Sequence, residues 1–352
     1  MIKKIIKAVN VVFGNFVRVQ SRLSFDEARK YLQEISPKPK GTCYTKNKLA
    51  IQYDLHIIIP AYNAEKYIKE CLKSVFIQVS EYSVLVTVVN DGSTDQTSII
   101  LENLKKLYKG SQIDIEIINQ DNKGYSGARN TALSFIRGKY IIFLDADDIL
   151  PQDTIEVMLD TAYEYDADIL QGSWYTFTNE EKKEYRVKES GRKTGSQGYI
   201  SGYPWGKLYK YSVLENFQFP DGYWFEDTPI SFILAALPFK CISIDNIVYG
   251  YRLNSEGITS KAVYSEKSID SYWITEQCLK EFPKFKVHYD QKAYEYLLQQ
   301  SIMNAWRIRK QKRKVRESEF VLITKLMDDY FKGFHTKNAN MRKVENALRK
   351  KQ

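Results

Sequence analysis

At 352 residues the chain is too long for one minimal domain, and 43% hydrophobic residues are enough for a sizeable core with appendages. A formal net charge of +9 favours phosphate-bearing partners without choosing among nucleic acid, anionic lipid and nucleotide. No stretch reaches the about 18 apolar residues of a spanning helix, and Cys43, Cys71, Cys241 and Cys278 are widely separated with no CxxC, so neither zinc nor disulfides are indicated and a cytoplasmic setting is expected.

Residues 1–50 read as a partly helical extension. Ile2, Ile5, Ile6, Val9, Val12 and Phe13 recur at helical spacing with Lys3, Lys4 and Lys7 between them. That pattern suits a helix lying on an anionic membrane surface, and equally one packed on the main domain. Ser36–Gly41 reads as a linker. From Leu55 the chain alternates. Strands are predicted at Leu55–Ile59, Val84–Val89, Ile113–Ile118 and Tyr140–Leu144. Helices are predicted after Asn63 as cap, from Thr94 to Tyr108, and over Gly127–Ile136. Apolar strands in βαβα order imply an α/β fold whose mostly parallel sheet is flanked by helices, with ligands beyond the carboxyl ends of the strands. The main domain is placed at 51–264, with a first half at 54–150 and a second at 151–264. Residues 265–352 are expected to be helical and basic. Their dense run at Arg307–Arg316 reads first as a solvated helix face, then as a site for anionic lipid or glycan, and last for nucleic acid.

Polar, turn-forming segments follow each strand: Pro60–Glu65, Asn90–Asp95, Asp121–Asn130 and Asp145–Asp148. If the last is extended, Asp145 and Asp147 point the same way and repel unless a cation lies between them. A hard divalent ion held there keeps room for phosphate oxygens. Asp148 as a helix cap with solvated neighbours is the alternative. Asp91 can accept hydrogen bonds from a base or ribose, or cap the next helix. Arg129 can reach a phosphate, or be an exposed helix arginine. There is no GxGxxG after the first strand and no GxxxxGK[ST], which disfavours a dinucleotide cofactor and a phosphate-loop NTPase.

The segments PAYNAEKYIKECLKSV, VNDGSTDQT, DNKGYSGARNTAL and YIIFLDADD together resemble the nucleotide-sugar half of family-2 glycosyltransferases with the GT-A fold, in the bacterial cell-surface polysaccharide branch. The resemblance implies donor-binding roles for Pro60, Tyr62, Glu65, Asp91, Asn122, Arg129, Asp145 and Ala146, and Mn2+ or Mg2+ on Asp145 and Asp147. It continues more loosely. Tyr203–Tyr209 resembles the W-N-K-L-Y stretch with Gly206 where Asn is usual, and Trp224–Asp227 resembles the Glu-Asp motif. Tyr249–Arg252 with Gly257–Ser260 resembles a segment that closes over the diphosphate, Arg252 being its phosphate candidate.

The implied activity is inverting transfer from a UDP-sugar to a hydroxyl of a glycan or lipid-linked glycan, by a cytoplasmic enzyme peripheral to the membrane if the N-terminal helix binds there. Asp227 is then the general base and Glu226 positions it or touches the sugar. Trp205, Tyr203, Tyr223 and Trp224 line an acceptor groove or pack the core. The rivals are a GT-A scaffold that has lost activity and a sugar nucleotidyltransferase, the latter lacking its glycine-rich phosphate loop here. A nucleic-acid partner is not expected.

Overall fold

A computed structural model of the chain describes residues 23–187, 191–194, 200–254 and 262–349, with backbone only at 191–194, 262 and 340. The N-terminal amphipathic pattern and Gly257–Ser260 lie outside the described residues. The described residues form two compact units, one within 41–222 and 237–254, the other of residues 23–40, 223–236 and 262–349. The units therefore cut the chain differently from divisions at 50 and 264, because segments distant in sequence pack together.

The first unit is built on one nine-stranded sheet. Its first half is β1 (Lys48–Ala61), α2 (Ile68–Phe76), β2 (Val84–Asp91), α3 (Thr97–Leu107), β3 (Ile113–Gln120), α4 (Gly124–Leu133) and β4 (Phe135–Phe143); α1 (Phe25–Ile35) belongs to the other unit. Strands β3, β2, β1 and β4 lie side by side and parallel, as the alternating pattern predicts. Every residue of β2 and the last seven of β1 are buried, the mark of strands covered on both faces. Strand β1 begins well before Leu55, pairing Lys48 and Leu49 with Phe135 and Ile136 of β4. Those leading residues are mostly exposed and carry no continuous apolar signal. Residues 135 and 136, read as helix, are strand, held by this pairing with β1.

After α5 (Thr154–Tyr165) come β5 (Ile169–Phe177), β6 (Lys182–Tyr185), β7 (Gly191–Thr194), β8 (Lys207–Lys210), the short α6 (Tyr211–Leu214) and β9 (Lys240–Arg252). Strand β8 runs antiparallel between β4 and β5, and β9 is parallel to β5. The sheet is thus parallel through β3, β2, β1 and β4 and mixed beyond them.

The second unit is helical: α1 (Phe25–Ile35), α7 (Thr228–Phe232), α8 (Asp270–Glu281), α9 (Gln291–Arg307), α10 (Arg313–Tyr330) and α11 (Ala339–Arg349). Ser24 and Glu27 cap α1 reciprocally. The expected linker after it is pinned. The Trp273 indole donates to Ser36 O at 2.9 Å, Ser36 Oγ bonds Asp270, and Lys38 and Arg29 both pair with the buried Glu276. Burial alone would raise the Glu276 carboxyl, but the two cations hold it down to about 2. The basic run is not one helix face either. It is split between the end of α9 and the start of α10, with Ile308 and Val315 buried within it.

Candidate active site

In the sheet unit, the segments following β1 to β4 are tied to one another in sequence. After β1, Asn63 takes a left-handed backbone conformation (φ 48°), which asparagine tolerates better than most residues. Its side-chain oxygen accepts the Thr94 N–H at 2.8 Å, and its own N–H donates to Ser93 Oγ at 3.0 Å. Asn63 therefore binds the loop after β2 and does not cap α2. Glu65 accepts the Gln96 N–H at 3.0 Å, while Asp95 accepts the Glu65 N–H. Pro60 lies within β1, and Tyr62 is 47% exposed.

The second and third loops are joined by Asp91, at the buried end of β2. Oδ1 accepts the Gln120 amide at 2.6 Å and the Lys123 N–H at 2.8 Å, and Oδ2 accepts the Gly124 N–H at 2.8 Å. Asp91 thus caps the first turn of α4, where unpaired N–H groups and the helix dipole favour an anion, and not the helix that follows it in sequence. Gly92 (φ 72°) is needed beside it, because a Cβ would lie 2.9 Å from the backbone nitrogen of Asn122. Asn122 itself is exposed.

The third loop reaches the fourth through Arg129. This α4 residue is buried, its guanidinium 5.2 Å from the Phe219 ring centroid, and Nη2 bonds Asp145 Oδ1 at 2.7 Å. It is not an exposed helix arginine. Residues 145–148 form a turn closed by the Asp148 N–H to Asp145 O at 3.0 Å, so the extended geometry assumed for Asp145 and Asp147 does not hold. Asp148 is no helix cap. It is buried and accepts the Tyr249 hydroxyl and the Arg252 N–H, each at 2.7 Å. Burial, then Asp145 and Asp147, push its carboxyl well above the usual range.

Arg252 closes the chain of contacts. Nε donates to Asp147 O at 2.8 Å and Nη2 pairs with Glu70 at 2.6 Å, with Phe177 and Tyr67 against the guanidinium. Ala146 is buried between the two aspartates. Asp147 is raised by burial and by Asp145, while Asn254 hydrogen-bonds it. A carboxylate whose ionisation is opposed by burial and by a neighbouring carboxylate, as that of Asp147 is, suits a hard cation. Among the described residues no group of three His, Cys, Asp or Glu is gathered, so of these residues Asp145 and Asp147 are the two candidate ligands. Water and phosphate oxygens would complete the shell, as they commonly do for Mg2+. The donor set fits Mg2+ or Mn2+ on that basis.

The aromatic candidates divide. Trp205 is buried and stacked on Tyr203 and Tyr249, with ring centroids 4.6 and 4.7 Å apart, so it packs the core behind the Asp145–Asp148 turn. Tyr203 remains 39% exposed. Gly206 has φ 66°, a conformation that glycine and asparagine share, which accounts physically for Gly where the motif usually has Asn.

Glu226 and Asp227 belong to the helical unit. Asp227 stands at the start of α7, preceded by Phe225 in a left-handed conformation (φ 63°) that costs a bulky residue about 1 kcal/mol or more. The turn is held by the Thr228 N–H to Phe225 O at 3.0 Å and the Trp224 N–H to Asp270 at 2.9 Å. Tyr223 is buried, its hydroxyl on Pro39 O. Sequence reasoning missed Glu70 and Gln120 as site-holding residues. Only Gln120 had a usable signal, as the last residue of β3 in register with Asp91.

Residues 56–225 match the sequence profile of Glycosyl transferase family 2. The chain is 32% identical over 232 residues to glycosyltransferase GlyA of Streptococcus pneumoniae, covering 60% of this chain and 32% of that protein. It is 34% identical over 114 residues to the minor teichoic acid biosynthesis protein GgaB of Bacillus subtilis, covering 32% of this chain and 12% of that one. The chain thus spans less than a third of either relative. Among solved structures, S. aureus TarS 1–349 in complex with UDP-GlcNAc superimposes with a TM-score of 0.52 at 19% identity, covering 79% of this chain and 93% of that one. That likeness supports the GT-A fold.

Proposed function

We propose that this chain, which belongs to glycosyl transferase family 2 through residues 56–225, transfers a sugar from a UDP-sugar to a hydroxyl of a bacterial surface glycan or its lipid-linked precursor, with inversion. The observation that carries the reading is the unbroken link from Asn63 through Thr94, Asp91, Gly124 and Arg129 to Asp145, which gathers four strand-end loops at one rim of the sheet. Teichoic acid synthesis in GgaB and UDP-GlcNAc bound to TarS support the classes of acceptor and donor.

In this mechanism Tyr62 and Asn122 are exposed where the uridine docks, and Asp91 shapes that part of the rim. Pro60 and Glu65 act by fixing the first loop, and Arg129 and Arg252 supply permanent positive charge toward the diphosphate. Asp145 and Asp147 would hold Mn2+ or Mg2+, which when bound neutralises charge developing on the leaving nucleotide. Asp227 takes the proton of the acceptor hydroxyl as its oxygen attacks the anomeric carbon, and Glu226 orients it. One displacement with no enzyme nucleophile gives inversion. Arrival at a membrane-borne acceptor through the N-terminal residues belongs to the same proposal.

The test is nucleotide release from a panel of UDP-sugars with Mn2+, with and without a glycan acceptor. Acceptor-dependent UDP release that Asp227→Asn abolishes, with UDP binding kept, is the expected result. Release at near wild-type rate by that variant removes Asp227 as base, and no turnover of any UDP-sugar contradicts the donor class.

A further inference from the structure

Arg307 ends α9 and opens the basic run, yet it is not a solvated helix residue. Its Nη1 is shut off from solvent and has no hydrogen-bond partner. Its guanidinium carbon lies 3.7 Å from the centroid of the Phe225 ring. Phe225 is the left-handed residue directly before Glu226 and Asp227. Burial pulls Arg307 below its ordinary value, against which Asp227, Tyr296, Glu319 and Glu226 act as the surrounding charged and titratable groups. Both carboxylate oxygens of Glu319, from α10, are enclosed without a partner, and burial pushes that group up to about 8. Burial opposes the charge on Glu319, and Asp227 is the foremost of the groups that favour the cation. A guanidinium with an enclosed, unpaired nitrogen is costly without an anion nearby, and Asp227 acts on it as one.

We propose that Arg307 is a positioning residue for Asp227, clamping the left-handed turn at Phe225 through its face and keeping the adjacent carboxylate ionised and aimed. This rests on the reading of Asp227 as general base. Strain of this kind persists only where surroundings over-determine it, and a cation on the ring of the strained residue is such a constraint. Arg307 is thus the point at which the helical C-terminal region reaches the proposed base.

The test compares R307Q, R307K and D227N in the full chain, reading kcat and KM across pH together with UDP binding. R307Q is expected to lower kcat at least about tenfold and to move the acid limb of the rate profile up by about one pH unit, as loss of a neighbouring cation does to a carboxylate. UDP affinity should stay within about twofold, since the donor rim lies in the sheet unit. R307K keeps the charge without the planar fork, so its limb should stay put while kcat falls by about threefold or more. An R307Q enzyme with an unmoved acid limb overturns the inference, whatever its stability. If R307Q does not fold, R307K decides, and wild-type kcat in R307K overturns it. Inactive D227N beside an unchanged R307Q profile sinks this inference alone, whereas active D227N sinks the general-base reading and the inference with it.

Discussion

Replacing Asp91 should loosen the start of α4 even with no ligand bound. The carboxylate is 2% exposed and accepts three hydrogen bonds, two of them from the Lys123 and Gly124 N–H groups that no helical carbonyl can satisfy. A hydrogen bond to a charged group contributes about 1.5–3 kcal/mol, and loss of a capping residue costs about 1 kcal/mol. Asp91→Ala should therefore make local opening at residues 121–126 easier by about 2 kcal/mol, or roughly 30-fold faster amide exchange. Asp91→Asn can put its one oxygen where Oδ1 accepts both Gln120 and Lys123, so Lys123 should stay protected while Gly124 does not. Hydrogen exchange on the ligand-free protein reads both amides directly. Unchanged exchange in Asp91→Ala alongside weakened UDP binding would refute the capping role and leave Asp91 as a ligand contact only.

Three further outcomes are expected. Arg129→Ala removes the 2.7 Å contact to Asp145 and should weaken UDP binding at least about tenfold by calorimetry, with Arg129→Lys restoring little because the planar fork is lost. His56 is buried in β1 with Nε2 2.8 Å from Thr87 Oγ1, and burial, then Arg137, lower it from 6.5 to about 3. Between those values the unfolded chain binds more protons than the folded one, so stability is full above pH 6.5 and falls as pH drops toward 3, by up to about 1.4 kcal/mol per unit. His56→Gln should flatten that acid arm in urea midpoints measured at pH 7 and pH 5. Trp205→Ala should destabilise the sheet unit by about 3–5 kcal/mol through its buried stack, seen as a lower unfolding midpoint, and not act as a simple acceptor-affinity variant.

What was legible in the sequence were the features that repeat or punctuate. Buried parallel strands announce themselves as apolar runs, so β2 and the core of β1 are visible, and the polar segments between them mark the rim. The exposed leading residues of β1 carry no such signal. Roles within the rim were harder to read, because residue type does not reveal which neighbour a side chain meets. Asp91, Asn63 and Glu65 have the chemistry of ligands, but much of their bonding capacity goes to the adjoining loop. Asp148 is read as a cap from its place after the strand, and its burial against Tyr249 and Arg252 depends on β9, about a hundred residues later. Arg307 looks like one cation among many until α9 carries it against Phe225.

Calorimetric titration of UDP with and without Mn2+, on the wild type and on Asp145→Asn/Asp147→Asn, bears most directly on the rim as a metal-assisted diphosphate site. Binding at least about tenfold tighter with Mn2+ in the wild type, with that gain absent from the double variant, is the expected result. Equal affinity in all four titrations would contradict it.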